Sequence, residues 1–180
     1  MIDRETTIEQ LGALVCQALK DAGIDAFLSG GAVVSIYSNN QFESFDLDFV
    51  SFADRRKIKI VMEGLGFIQD RSRLFRNPDS IYMVEFPGTA LVIGDEPIRE
   101  FAERVIDGKT LKLLTPTDCV KDRLAAYIHW GDRQGLEQAA LVANQHACNL
   151  NQVEKFCRNE GSANAFQKFE ARLLALRSRK

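Results

Sequence analysis

Two aspartates, Asp46 and Asp48, lie one residue apart in the apolar run of residues 45–50. Alternation of apolar and polar residues predicts a half-buried strand, and residues i and i+2 of a strand project from the same face. We therefore expect both carboxylates on one face. Their apolar neighbours then share the opposite face: Phe45, Leu47 and Phe49. Because aspartate is depleted in strands and adjacent like charges repel, the pair indicates a bound cation.

A glycine pair, Gly30-Gly31, precedes these aspartates and follows Ser29. Without Cβ atoms, backbone N–H groups can approach a ligand closely, and the N-terminus of a helix favours phosphate. The Ser29 hydroxyl adds a donor. Two carboxylates on one strand face suit Mg²⁺, which takes carboxylate oxygens together with substrate phosphates. The segment therefore predicts a phosphate site beside a metal site.

A third carboxylate from a neighbouring strand would complete a two-metal site, which activates an attacking oxygen and stabilises a leaving one. Glu85 is the candidate, because apolar residues flank it as they flank the aspartates. An ordinary exposed charge is the alternative interpretation of Glu85. Asp95 and Glu96 are the other candidates, and we expect both in a loop after Gly94.

The elements that must position these residues follow from hydrophobic periodicity. Predicted strands cover residues 24–28, 45–52, 81–86, 89–93, 101–106 and 110–114, with weaker fragments at 67–68 and 74–75. Predicted helices cover 8–22, 32–37, 58–65, 116–129, 135–147, 151–159 and 163–177. Asp107-Gly108 predicts a hairpin turn, and Thr115-Pro116 predicts a helix start. The fold class is therefore α/β (α+β): a small mixed sheet over residues 1–114, then a helical region over residues 115–180.

Composition excludes several classes of protein. Apolar residues make up 46% of the 180 positions, which argues against disorder, and the net charge of −2 gives no general attraction to polyanions. Basic residues cluster locally at 55–59, 71–76 and 172–180. The four cysteines are widely spaced in helical patterns and form no zinc motif. We therefore expect buried thiols, a cytoplasmic protein and no membrane segment.

These motifs, in this order, resemble the nucleotidyltransferase superfamily, which has the fold of DNA polymerase beta. The residues that carry the resemblance are Leu28-Ser29-Gly30-Gly31, Phe45-Asp46-Leu47-Asp48-Phe49 and Val84-Glu85-Phe86. The resemblance covers residues 24–93. It implies Mg²⁺ held by Asp46, Asp48 and Glu85, and NTP phosphates held by Ser29, Gly30 and Gly31. It also implies attack of an acceptor hydroxyl on the α-phosphate, with pyrophosphate leaving.

Residues 114–126 are similar to the start of the helical region in minimal bacterial nucleotidyltransferases, including members linked to abortive-infection and toxin–antitoxin systems. That similarity implies that Lys121 or Arg123 reaches the triphosphate. A solvated helix face is the alternative for either residue.

Two functions remain open. The first is Mg²⁺-dependent transfer of NMP from an NTP to a hydroxyl on RNA, protein or a small molecule. The second is a catalytically inactive binding module with the same fold, such as an antitoxin-like partner or a nucleic-acid-binding regulator. The long Gly31–Asp46 separation and the basic stretches favour the second.

Overall fold

A computed structural model of the chain describes residues 2–70, 73–88 and 91–178, which divide into two compact units. The sheet unit comprises Met1–Val33, Glu43–Ala90 and Phe101–Leu113. The helical unit comprises Val34–Phe42, Leu91–Glu100 and Leu114–Lys180.

The elements of the described residues alternate between helix and strand at first and are helical at the end. In chain order they are α1 (Ile8–Asp21), β1 (Ala26–Ser29), α2 (Gly30–Tyr37), β2 (Asp46–Ser51), α3 (Arg55–Gly64), β3 (Ile68–Gln69), β4 (Leu74–Arg76), β5 (Met83–Glu85), β6 (Val92–Ile93), β7 (Glu96–Pro97), β8 (Phe101–Ile106), β9 (Lys109–Leu114), α4 (Pro116–Trp130), α5 (Arg133–Gln145), α6 (Leu150–Asn159) and α7 (Ala163–Arg177). This mixed content confirms the predicted α+β class.

The sheet unit is built on a mixed seven-stranded sheet with the order β3-β4-β5-β2-β1-β9-β8. Strand β2 pairs antiparallel with β1 and parallel with β5, so it lies inside the sheet. Strand β4 pairs antiparallel with both β5 and β3. The strand that carries the aspartates therefore has a hydrogen-bonded neighbour on each side, which fixes the position of its side chains.

One face of this sheet is packed against helices. The fully buried side chains of α1 and the sheet form one core: Leu11, Val15, Leu19, Leu28, Leu47, Phe49, Val84, Leu111 and Leu113. Helix α1 approaches closely at Gly12, where an added Cβ would lie 3.3 Å from a methyl carbon of Leu111. Leu47 and Phe49 alternate with Asp48 along β2, so their burial turns Asp48 toward the opposite face.

The helical unit packs α4, α5, α6 and α7 around its own core. Its fully buried side chains include Leu124, Ala139, Val142, Val153, Phe156 and Phe169. Helices α4 and α5 are in close contact because Gly135 has no side chain: an added Cβ would lie 2.4 Å from the Arg123 carbonyl oxygen. Within the part of the chain that the structure describes, no helix is both long and apolar enough to cross a bilayer.

Local signals predicted most elements to within a few residues. Asp107 and Gly108 both have positive φ, +50° and +74°, as the predicted hairpin turn between β8 and β9 requires. Thr115 caps α4 through a 3.1 Å hydrogen bond from the Asp118 N–H, with Pro116 as the first helical residue. The predicted strand 89–93 is shorter, since β6 covers Val92–Ile93 and residues 89–90 lie outside the described residues.

Three expectations were wrong. Phe45 lies outside β2 with 51% of its surface exposed, and its ring stacks on Tyr82 instead of entering the core. Glu96 is not in a loop but begins β7, because Gly94 and Asp95 form the turn of a short hairpin. Cys148 lies between α5 and α6 rather than in a helix, and it is only partly buried, whereas Cys16, Cys119 and Cys157 are buried as expected. The error at Phe45 involves a contact with a residue distant in sequence, and the error at Glu96 involves a very short element.

Candidate active site

Asp48 and Glu85 are register partners on the parallel strands β2 and β5. Partner residues on neighbouring strands share a face, and the strands lie about 4.8 Å apart, so these two carboxylate side chains are neighbours. The next pair on that face is Asp46 with Met83, while Leu47 and Val84 form the buried pair between them. The parallel pairing of β2 with β5 therefore places all three predicted carboxylates on one face of the sheet.

The predicted phosphate-binding turn adjoins the same carboxylate from the other side. Ser29, the last residue of β1, is the antiparallel register partner of Asp48. Its hydroxyl donates to the Asp48 carbonyl oxygen at 3.2 Å. Gly30 follows with φ of +70°, and a Cβ there would lie 2.4 Å from Asp48 Oδ2. The absence of a side chain at Gly30 thus gives room for the Asp48 carboxylate.

Access to this face differs among the three acids. Asp46 is exposed, whereas Asp48 and Glu85 are half-buried. Within residues 2–70, 73–88 and 91–178, no three His, Cys, Asp or Glu side chains meet closely enough to hold a metal ion by themselves. Mg²⁺ is commonly bound through one or two carboxylates plus substrate phosphates rather than by an all-protein cage. The carboxylate oxygens of Asp46, Asp48 and Glu85, on one face of the sheet, fit that kind of binding.

Lys121 lies in the helical unit with 8% of its surface exposed. Its ammonium group is 3.1 Å from Glu96 Oε2 and 3.5 Å from Asp118 Oδ1. A buried ammonium requires such partners because desolvation of an unpaired charge is costly. Lys121 therefore joins strand β7 to helix α4 within its unit.

Arg123 also lies in the helical unit, on α4. Its guanidinium donates to the Asp122 carboxylate at 2.5 Å and 3.0 Å and to Gln138 Oε1 at 3.4 Å. Both cations from the helical region thus have acidic partners in their own unit. Their assignment to a triphosphate stays a prediction.

Arg76 is a residue that the sequence did not single out from its basic stretch. It is the register partner of Met83 across β4 and β5, and Met83 is the partner of Asp46. Arg76 therefore shares the carboxylate face. No local pattern in residues 71–76 carries this information, because it depends on two successive strand pairings.

Two crystal structures are similar to this chain over most of its length. A crystal structure of an antigenic nucleotidyltransferase-like protein from Paracoccidioides brasiliensis is similar, with a TM-score of 0.59, 16% sequence identity, and 96% of each chain covered. The crystal structure of ANT(2")-Ia in complex with adenylyl-2"-tobramycin has a TM-score of 0.59 and 13% identity, and covers 85% of this chain and 95% of that one. This chain has the nucleotidyltransferase fold.

A solution structure of ANT(2")-Ia is also similar to this nucleotidyltransferase-fold chain, with a TM-score of 0.50, 16% identity, and coverage of 95% and 92% of the two chains. No family model matches the sequence, and no curated protein matches it either. At these identities the similarity identifies the fold, and the chemistry must be argued from the residues.

Proposed function

We propose that this protein is a Mg²⁺-dependent nucleotidyltransferase, which transfers NMP from an NTP to a hydroxyl acceptor. The observation that carries the proposal is the position of Asp48. On one side, Asp48 neighbours Ser29 at the end of β1 and Gly30 at the start of α2. On the other side, it neighbours Glu85 on β5. A phosphate-binding turn and a second carboxylate thus flank a single acidic strand, on a fold shared with nucleotidyltransferases.

In the proposed reaction the acceptor oxygen forms a bond to the α-phosphorus. The bond from that phosphorus to the α–β bridging oxygen breaks, and pyrophosphate leaves with the electron pair. The acceptor proton passes to Glu85, which faces the same side as the aspartates. Asp46 and Asp48 would hold Mg²⁺, which supplies charge stabilisation at the phosphoryl oxygens.

The backbone N–H groups at Gly30 and Gly31 orient the β- and γ-phosphates. The Ser29 hydroxyl donates to the Asp48 carbonyl oxygen in this structure and would turn from it to donate to a phosphate. Helix α2 begins at Gly30, and the N-terminus of a helix attracts negative charge. The half-buried position of Asp48 and Glu85 strengthens their interaction with cations relative to fully exposed carboxylates. These groups together supply phosphate binding, metal binding and proton acceptance.

The test uses α-³²P-labelled ATP, GTP, CTP and UTP with Mg²⁺ and a cell extract that supplies acceptors. We expect label transfer by the wild-type protein and loss of transfer by the double variant Asp46→Ala/Asp48→Ala. Glu63→Gln is the matched control, because Glu63 is a half-exposed carboxylate on α3 in the same unit. Equal transfer by the wild type and the double variant would reject the proposal.

The alternative is an inactive binding module, such as an antitoxin-like partner or a nucleic-acid-binding regulator. The long connection between Gly31 and Asp46 favours it, since residues 38–45 separate α2 from β2 and include a turn with positive φ at Asn39 and Asn40. Calorimetric titration with ATP separates the two functions. Binding that requires Mg²⁺ and Asp48 supports the enzyme, and absence of ATP binding supports the binding module.

A further inference from the structure

A groove of about 470 Å³ lies in the sheet unit, on the face that carries the Asp46, Asp48 and Glu85 carboxylates. The row Asp46–Met83–Arg76–Ile68 runs across four adjacent strands, as three register pairs define. The last three of these residues line the groove together with the loop that joins β4 to β5. The groove is therefore a continuation of the face that carries the carboxylates.

The lining of the groove is mostly apolar. Ile68 and Ile81 are large apolar side chains with 65% and 49% of their surface exposed, and Pro78 and Met83 add further apolar surface. Exposed apolar side chains that share a concave surface indicate a binding site more strongly than scattered ones do. A volume of this size suits a small organic molecule, since ligand pockets commonly span about 300–1,000 Å³.

The charged lining residues among those that the structure describes are Asp70 and Arg76. Arg76 Nε lies 3.9 Å from Asp70 Oδ2, and both side chains are substantially exposed, at 60% and 40%. A long, exposed ion pair of this kind contributes little stability. The Arg76 guanidinium can therefore exchange Asp70 for an anionic group of a ligand at small cost.

The in-line geometry of the proposed reaction indicates which reactant lies in the groove. Attacking and leaving oxygens lie roughly in line across a transferring phosphoryl group. If pyrophosphate leaves over Gly30-Gly31, beside β1, the attacking hydroxyl must approach from the opposite side of Asp48. That side is β5, followed by β4 and β3.

We propose that this groove binds the acceptor of the nucleotidyl transfer, a small molecule with an apolar body, an anionic group held by Arg76, and a hydroxyl directed toward Glu85. This inference rests on the proposed function. It extends that function by naming the class of acceptor. The carboxylates of Asp46, Asp48 and Glu85 alone would repel an anion, and the Arg76 guanidinium offsets that repulsion. A polycationic acceptor would instead require an acidic lining.

The first experiment maps the groove with 8-anilinonaphthalene-1-sulfonate, an apolar anion, in the presence and absence of Mg²⁺ and ATP. We expect amide chemical-shift changes at residues 68, 81 and 83 with and without nucleotide. Ile81→Glu should abolish these changes, whereas Val105→Glu should keep them. Val105 is the matched control because it is 73% exposed on β8, at the opposite edge of the same sheet.

The second experiment measures label transfer from ATP to an extract fraction below 3 kDa. We expect Arg76→Ala to lower transfer by roughly 10- to 100-fold, as for a lost charge-assisted hydrogen bond, while ATP binding stays unchanged. Arg76→Lys should recover part of the rate. Arg104 lies on β8 and is paired with Glu9 of α1, so Arg104→Ala should leave transfer unchanged.

The outcomes separate the two proposals. Absence of Mg²⁺-dependent ATP binding in the wild type rejects the nucleotidyltransferase function and the acceptor assignment with it. Two other results would reject the acceptor groove but leave the nucleotidyltransferase function standing. One is normal ATP binding together with binding of the probe outside the groove. The other is undiminished label transfer by Arg76→Ala and Ile81→Glu. In the assay with the whole cell extract, label that appears only on RNA or protein also rejects the small-molecule acceptor.

Discussion

Gly30 and Asp48 are in such close contact that a Cβ on Gly30 would lie 2.4 Å from Asp48 Oδ2. Gly30 is also in the left-handed region, with φ of +70°. The first residue of the glycine turn thus leaves the space that the Asp48 carboxylate occupies. The proposed phosphate site and this carboxylate are therefore in direct contact, although 17 residues separate Gly30 from Asp48.

Gly30→Ala tests this contact. We expect the variant to lose Mg²⁺-dependent ATP binding, because the new methyl group displaces the Asp48 carboxylate. The free energy of unfolding should fall by more than the roughly 1–2 kcal/mol that a left-handed alanine costs. Gly108→Ala is the control, since Gly108 has φ of +74° and no atom within 4 Å of an added Cβ. Calorimetry and denaturant unfolding measure both effects, and equal results for the two variants would contradict the contact.

Glu85→Gln separates proton acceptance from nucleotide binding. We expect transfer to fall by roughly 10²- to 10⁴-fold, the usual contribution of a general base, with ATP affinity changed only a few-fold. Glutamine keeps the size of the side chain, so the fold should be unchanged by circular dichroism. Single-turnover assays measure the transfer rate, and calorimetry measures the ATP affinity. Wild-type transfer rates in Glu85→Gln would remove Glu85 from the proposed mechanism.

Lys121→Met tests the buried ion pair in the helical unit. Removal of Lys121 leaves Glu96 and Asp118 as poorly compensated acids, and breaking a buried pair costs about 3–5 kcal/mol. We expect a loss of this size in urea unfolding. Lys59→Met is the control, because Lys59 lies 3.7 Å from Glu63 with both side chains half-exposed, and such pairs contribute about 0–1 kcal/mol. If Lys121→Met lowered the free energy of unfolding as little as Lys59→Met, Lys121 would have no structural role.

Alkaline pH should destabilise the protein through Cys157 on α6. Burial raises the pKa of this thiol to about 11 from its ordinary value of 9.0. The unfolded chain therefore loses the proton first, so stability is fully present below pH 9 and falls as the pH rises toward 11.

The measurement is the decrease in melting temperature between pH 8.5 and 10.5. We expect a smaller decrease in Cys157→Ala than in the wild type, because the variant has no thiol at position 157 to ionise. Val153→Ala leaves a comparable cavity on the same helix and should keep the wild-type pH dependence. A pH dependence unchanged by removal of the thiol would show that Cys157 ionisation does not contribute.

Local sequence was sufficient for most elements of this fold. Helix periodicity, the Thr115-Pro116 start and the Asp107-Gly108 turn act over a few residues, so their physical basis is present in the sequence itself. The alternation around Asp46 and Asp48 likewise placed Leu47 and Phe49 in the core. Phe45 was misplaced because the strand begins one residue later, and alternation says nothing about where pairing starts.

The sequence by itself determined that Asp46 and Asp48 share a strand face and that a glycine turn opens a helix before them, since both depend on backbone geometry over a few bonds. Only the tertiary structure decided that Glu85 stands beside Asp48, that Arg76 extends the same face, and that Lys121 is paired with Glu96. These relationships depend on strand register and on long-range packing, which arise from the burial of the whole core rather than from any local pattern.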